Sequence, residues 1–418
     1  MKILDADEDE AQQEPLNAVT SIDRISCAQL SCQDFAENYL NTNKPVIITN
    51  IVDDATWRVR SEDWLDGTKL YPNMDSLKEL FGDEIAPVHE QSKAGFTIAR
   101  PTSTEMTVAQ YCDWWKDHHA ESHLEEASEE ILYLKDWKFL ARFPDYSLYQ
   151  WPMYFQNDWL NEYMKGAYRF VYLGPKGSCT RLHADVLQSY SWSTNVCGQK
   201  RWFMIPPQYT YLLYDCFGER LASHLHQDLE EGDTFYPGLK AARLHAIEVI
   251  QEATETIFVP SGWHHTVENM RPTLSVNHNW LNETNISWSW DKLSREIEAL
   301  HESKQDKSSS NPNVTEHTEP DTGACCTRAI ISDGTSQIED DLYLMWILVS
   351  KKAEDTLLLL QQDSTTNVEE DEMRGVLRSV IPILQGIQHL IRTGRARGLK
   401  SRCQCNVNDL VQQVLDKI

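Results

Sequence analysis

Basic residues are scarce in this sequence. Its 418 residues carry 38 Lys and Arg against 64 Asp and Glu, a formal charge of −26 at pH 7. That balance disfavours direct binding of nucleic acid, because phosphate contacts depend on Lys and Arg releasing counterions. It suits attraction of a basic protein substrate, and it serves solubility equally well. Long apolar runs are missing too. The stretch at 342–349 is far shorter than the ~20 residues that span a bilayer, so no membrane partner is expected. No apolar segment follows a basic region in the opening MKILDADEDEAQQE, which is therefore not read as a secretion signal. Zinc-finger cysteine spacing is absent as well: the ten cysteines are scattered, and Cys325-Cys326 and Cys403-x-Cys405 do not fit it. Reduced thiols in the cytoplasm, or in the nucleus, are the expectation. The glycosylation-like patterns at Asn282 and Asn285 are then coincidental.

What is present reads as one long β-rich domain with helical additions. Residues 1–17 are acidic and poor in aromatics and are expected to be a disordered tail. Residues 18–130 form an N-terminal α/β part. There PVIITN at 45–50 predicts a short buried strand. Thr107 and Gln110 make a capping box ahead of Val108, Tyr111, Cys112 and Trp115 at i, i+3, i+4 and i+7, an amphipathic helix. The Glu-rich run at 121–130 reads as solvated. From Tyr133 to Trp159 aromatics are dense, most of them expected to pack and a minority to border a peptide groove. Short strands follow at 168–173, 180–186, 189–196, 201–205, 254–259 and 274–281, with Pro206-Pro207 and Pro260-Ser-Gly262 as breaks. Such spacing predicts a mainly β, jelly-roll, cupin-like core over 131–285 with flanking helices. A helix is expected at 286–301, with Leu293, Ile297, Leu300 and His301 on one side. A polar Ser/Pro linker at 302–325 and C-terminal helices within 326–418 complete the chain. That linker implies helices standing apart from the core, so that a chain ending near residue 305 keeps its fold. The basic cluster Arg392, Arg395, Arg397, Lys400 and Arg402 could touch RNA or an acidic partner, but a basic last turn also complements a helix dipole, and that structural reading is preferred.

The candidate chemistry centres on His183-Ala184-Asp185. In an extended strand, residues two apart share a face, so an imidazole and a carboxylate there can grip one metal ion. A third ligand must come from elsewhere, and the stretch TETIFVPSGWHH offers His264 and His265. Two His and one carboxylate with open positions suit a non-heme Fe(II) oxygenase. A lone His-x-Asp is more often a surface turn. Three features weigh against that reading. Lys200 follows the Gly198-Gln199 turn, where its ammonium can meet a carboxylate-bearing cosubstrate. Thr180 adds a hydroxyl three residues before His183. Ser275, Asn277 and Asn279 alternate with Leu274, Val276, His278 and Trp280, a polar face that either lines a wet site or meets solvent.

The segments LYLKDW, DWLNE, YRFVYLGPKGS, LHADV, SWSTNVCGQKRW, VPSGWHH and VNHNW carry more. Over about residues 44–281 they make the chain resemble the jumonji-C branch of the 2-oxoglutarate and Fe(II)-dependent oxygenases, built on a double-stranded β-helix. They are similar above all to members that hydroxylate a lysine of the eukaryotic translation release factor, a reaction supporting translation termination. The resemblance implies His183, Asp185 and His265 as metal ligands, the last from the pattern Pro-x-Gly-Trp-x-His. His264 is then left to packing or a supporting hydrogen bond. It also implies Lys200, helped by Thr180, on the far carboxylate of 2-oxoglutarate, with Asn277 as a lesser contact and the role of Ser193 open. Fe(II), 2-oxoglutarate and O2 are the implied cofactor and cosubstrates. Succinate, CO2 and a hydroxylated protein side chain are the implied products. Two rivals remain. Histone-lysine demethylation uses the same ligands, but no chromatin-reading finger or basic docking segment is evident. A non-catalytic cupin-like metal-binding protein would need neither the triad nor Lys200.

Overall fold

In the computed structural model the described residues are 21–92, 102–119, 130–225, 235–309, 324–361, 366–396 and 407–418. The acidic tail, most of the Glu-rich run, the centre of the linker and the end of the basic cluster lie outside them. The strands are β1 (Asp23–Ser26), β2 (Val46–Thr49), β3 (Ile85–Ser92), β4 (Thr102–Thr107), β5 (Glu130–Trp137), β6 (Arg169–Gly174) and β7 (Cys179–His183). They continue as β8 (Tyr190–Cys197), β9 (Lys200–Ile205), β10 (Ile247–Gln251), β11 (Thr256–Val259), β12 (His264–Asn269) and β13 (Thr273–Trp280). The helices are α1 (Cys32–Phe35), α2 (Met74–Phe81), α3 (Val108–His119), α4 (Phe139–Arg142), α5 (Trp159–Tyr163) and α6 (Leu239–Leu244). Four more follow the strands: α7 (Ile286–Ser309), α8 (Ala324–Leu359), α9 (Asn367–Arg392) and α10 (Val407–Leu415). A nine-stranded sheet runs β1-β2-β11-β8-β13-β6-β5-β3-β4, and a four-stranded sheet runs β10-β9-β12-β7.

Local sequence explains most of these elements. β2 is a β-branched run paired on both sides, by β1 in parallel and β11 antiparallel, and Val46, Ile47 and Ile48 are fully buried. The capping box ahead of α3 forms as expected: the Gln110 N–H donates to Thr107 Oγ1 at 3.2 Å, and the Thr107 N–H donates to Gln110 Oε1 at 2.8 Å. Val108, Tyr111, Cys112 and Trp115 are all buried. The turn between β8 and β9 needs glycine. Gly198 has φ +82°, and a Cβ there would come within 2.2 Å of the Pro272 carbonyl oxygen.

The chain divides into two compact units. One runs to Trp137 and takes in Val171–Ala184 and Ser193–Val276; the other comprises Lys138–Phe170, Asp185–Trp192 and Asn277–Ile418. In the first, Ile47, Ile257 and Val259 of the large sheet pack with Trp202, Met204, Ile247 and Val267 of the small one. In the second, part of the aromatic-rich stretch packs as expected. Phe155 stacks on Trp192 at 5.3 Å between ring centroids, and His278 sits 4.1 Å from Trp192.

The second unit corrects the expected separation of the C-terminal helices. Helix α7 extends to Ser309, beyond the expected 301. Leu342, Met345, Trp346 and Val349 of α8 share one buried core with Leu384 and Ile387 of α9, Val411 of α10, and Trp159, Leu160, Leu187 and Leu281. A polar linker composition says nothing about where the helix beyond it docks. Burying each large apolar side chain contributes roughly 1.5–3 kcal/mol. Uncovering Trp159, Leu160, Leu187 and Leu281 therefore costs about 6–12 kcal/mol, comparable to a typical total stability of about 5–15 kcal/mol. A chain ending at residue 305 is expected to lose its cooperative thermal transition or to aggregate. A fragment melting like the full chain would show the helices to be dispensable.

Candidate metal and cosubstrate site

The small sheet brings the histidines together. In the β12–β7 pairing His265 lies opposite His183, and their ring centroids are 4.3 Å apart. Each ring is oriented by its own backbone. His183 Nδ1 donates to the carbonyl of Arg181 at 2.8 Å, and His265 Nδ1 donates to that of Trp263 at 3.1 Å. A carbonyl only accepts, so the proton sits on Nδ1 and Nε2 keeps the lone pair for a metal. Asp185 stands just past the end of β7 rather than within it, at φ −60° and ψ 153°, which keeps the backbone extended. Ligand atoms of His183, Asp185 and His265 all lie within 4.8 Å of one another. Two imidazoles with preset tautomers and one carboxylate fit Fe(II).

His264 turns away, as the neighbour of His265 in a strand must. It is buried, its Nδ1 lies 3.2 Å from the Gly262 carbonyl oxygen and 3.3 Å from Thr210 Oγ1, and burial, aided by His265, pushes its pKa down to about 4.

Thr180 is three residues from His183, an odd spacing that a regular strand would send to the opposite face. A bulge resolves this. His183 pairs with His265 while Thr180 pairs with Val267, so three steps on β7 match two on β12. The extra residue returns Thr180 to the side of His183.

Lys200 is 2% exposed and opens β9 opposite Asn269 of β12. Its Nζ donates to Ser275 Oγ at 2.7 Å and lies 5.8 Å from the centre of the Tyr172 ring. Among the described residues it makes no ion pair. Burial pushes its pKa down from 10.5 to about 7, and Lys135 adds to the effect. A cation kept in such a place is costly unless an anion arrives to pair with it. Ser275 and Asn279 are buried and Asn277 is half-buried, so the polar face of β13 does not meet solvent.

Two contributors escaped the sequence reading. The Tyr133 hydroxyl hydrogen-bonds the side chains of Thr180 and Asn269, linking the residue opposite Lys200 to the bulged strand. Burial raises its pKa, so it stays a neutral donor. Alternation of Tyr133 and Lys135 with Leu132 and Leu134 was the available signal. Ser191, on β8, donates to Asp185, and six residues of sequence separation gave no hint of it.

The lysine sets a pH dependence. Above pH 7, before cosubstrate binds, Lys200 is a mostly neutral amine, so a carboxylate binding there must draw in a proton. Affinity for 2-oxoglutarate is expected to be greatest below about pH 7 and to fall by up to tenfold per unit above it. By the same sign, the empty fold gains stability from about pH 7 towards 10.5, where the unfolded lysine holds more protons than the folded one. Half-saturation of the metal-loaded protein, followed across that range, checks this. Lys200→Arg should flatten the profile, because a guanidinium keeps its charge.

Comparison with known proteins places the chain. Residues 32–286 match the family described as a cupin-like domain. A 2-oxoglutarate and iron-dependent oxygenase JMJD4 of Gallus gallus is 38% identical over 287 residues, 68% of this chain and 65% of that protein. The Homo sapiens protein of the same name is 34% identical over 300 residues, 69% of this chain and 68% of its own. An arginine-specific demethylase JMJ20 of Arabidopsis thaliana is 40% identical over 310 residues, 70% of this chain and 64% of that protein. The chain thus spans just under two thirds of the Arabidopsis and Gallus relatives. Sheet-rich architecture, a two-histidine, one-carboxylate group, and relatives named for iron and 2-oxoglutarate agree: the chain belongs to the cupin-like, jumonji-C family of 2-oxoglutarate and iron-dependent oxygenases.

Proposed function

We propose that this protein is an Fe(II)- and 2-oxoglutarate-dependent protein lysyl hydroxylase of the cytoplasm, acting on the eukaryotic translation release factor. The observation that carries the cosubstrate is Lys200, a buried cation without an ion-pair partner among the described residues, in the sheet that bears both histidines. His183, Asp185 and His265 would hold the iron. Lys200, with Thr180 and Tyr133, would bind the distal carboxylate of 2-oxoglutarate, and Asn277 would add a weaker contact. When bound, iron with 2-oxoglutarate and O2 supplies an oxidation that yields succinate and CO2 and places one oxygen atom in a C–H bond. The protein's part is to orient these groups and exclude water. The release-factor lysine is supported by the motif resemblance, and the net charge of −26 suits a basic substrate.

A second reading has its own support in the Arabidopsis relative, which is named an arginine-specific demethylase. One experiment separates the two. The full chain is incubated with Fe(II), 2-oxoglutarate and either the release factor or a methylated basic protein, and intact masses are recorded. A gain of one oxygen supports hydroxylation, and loss of one methylene supports demethylation. An unchanged release factor would remove it as the substrate.

A further inference from the structure

Asp185 is the triad member whose side chain its own backbone does not hold. Carboxylate rotation about χ2 of aspartate is a broad, soft torsion, unlike the imidazole rings tied to their own carbonyls. Support comes from two other residues, one on each oxygen. Ser191 Oγ donates to Oδ2 at 2.6 Å, and Asn279 Nδ2 donates to Oδ1 at 3.0 Å. Neither donor is itself loose. The Asn279 N–H donates to the Tyr168 carbonyl at 3.1 Å, its carbonyl accepts from Asn161 Nδ2 at 2.9 Å, and its amide also reaches Ser189 Oγ at 3.2 Å. Ser191 is returned to Asp185 by a tight reversal in which Leu187 and Gln188 take φ +55° and +47°. Left-handed conformations at two successive non-glycine residues carry a steric cost that the surrounding structure must offset.

We propose that Ser191 and Asn279 are positioning residues for the metal. By anchoring both oxygens they fix the plane of the Asp185 carboxylate, so that it offers one oxygen to the ion and leaves the other positions to the cosubstrate. Without them the carboxylate can rotate and chelate through both oxygens, taking a position that 2-oxoglutarate needs. This rests on the iron and 2-oxoglutarate reading of the site.

The test uses Co(II) as the probe, whose ligand-field absorption reports coordination number and geometry, on the metal-stripped full chain. Ser191→Ala and Asn279→Ala are expected to bind Co(II) roughly 10- to 100-fold more weakly, with an altered ligand-field spectrum and a smaller response to added 2-oxoglutarate. Ser191→Thr keeps the hydroxyl and should restore affinity and spectrum. Asn279 is buried, so if its variant lacks a cooperative thermal transition the Ser191 pair decides. Wild-type affinity and spectrum in a folded Ser191→Ala would overturn the positioning role alone. A wild-type chain that binds no Co(II) would overturn the metal-site reading and this inference with it.

Discussion

Alanine at His183, Asp185 or His265 is expected to abolish Fe(II) binding and 2-oxoglutarate turnover together, while His264→Ala retains most of both. The first three groups converge within 4.8 Å, and two of them carry tautomers that direct Nε2 outward. Loss of a partner that merely supports a ligand costs roughly 10- to 100-fold in metal affinity, so loss of the ligand itself should exceed that. His264 faces the Gly262 carbonyl and Thr210 instead. Its removal costs stability through an unfilled buried space, without touching the metal. Bound iron after anaerobic loading, together with succinate formation, checks all four variants. Exchanged outcomes at 264 and 265 would move the ligand to His264.

Lys200→Ala should leave metal binding intact and raise the 2-oxoglutarate requirement steeply. The two histidines lie elsewhere on the small sheet, whereas Lys200 is buried and, among the described residues, is held by Ser275 and the Tyr172 ring. Removing one partner of a buried charged pair costs roughly 2–5 kcal/mol, or about 30- to several-thousand-fold in affinity. Lys200→Arg should recover part of this, since the charge remains but the planar fork is bulkier. Without cosubstrate, Lys200→Ala should not lose stability in proportion, because the buried amine it removes has no ion-pair partner among the described residues to leave stranded. A 2-oxoglutarate titration of succinate formation, with Fe(II) affinity measured separately, reads the effect. Unchanged half-saturation would return Lys200 to a structural part in the turn.

Spacing alone made much of the site legible. His183-x-Asp185, the His pair at 264–265, Lys200 after its turn and the alternation of Ser275, Asn277 and Asn279 are all local patterns. Extended backbone has a period of two, so chemistry that shares a strand face can be read along the chain. Thr180 broke that rule and still reached the right side, because the bulge that returns it exists only in the pairing of β7 with β12. Likewise the capping box of α3 was visible, while the length and docking of α7 were not.

Strand and helix periods, the ligand types and their local spacing could thus be read along the chain, because they depend on φ/ψ preferences and side-chain alternation over a few residues. Which groups meet depends on long-range packing. Asn279 reaches Asp185 across 94 positions and Ser275 reaches Lys200 across 75. Trp159 and Leu281 lie far in sequence from the α8 and α9 residues whose core they share. Those contacts follow from sheet order and from burial of apolar surface, neither of which a local pattern encodes. The same burial turned Lys200 from an ordinary ammonium into a group with a pKa of about 7, which is a property of its surroundings and not of its place in the chain.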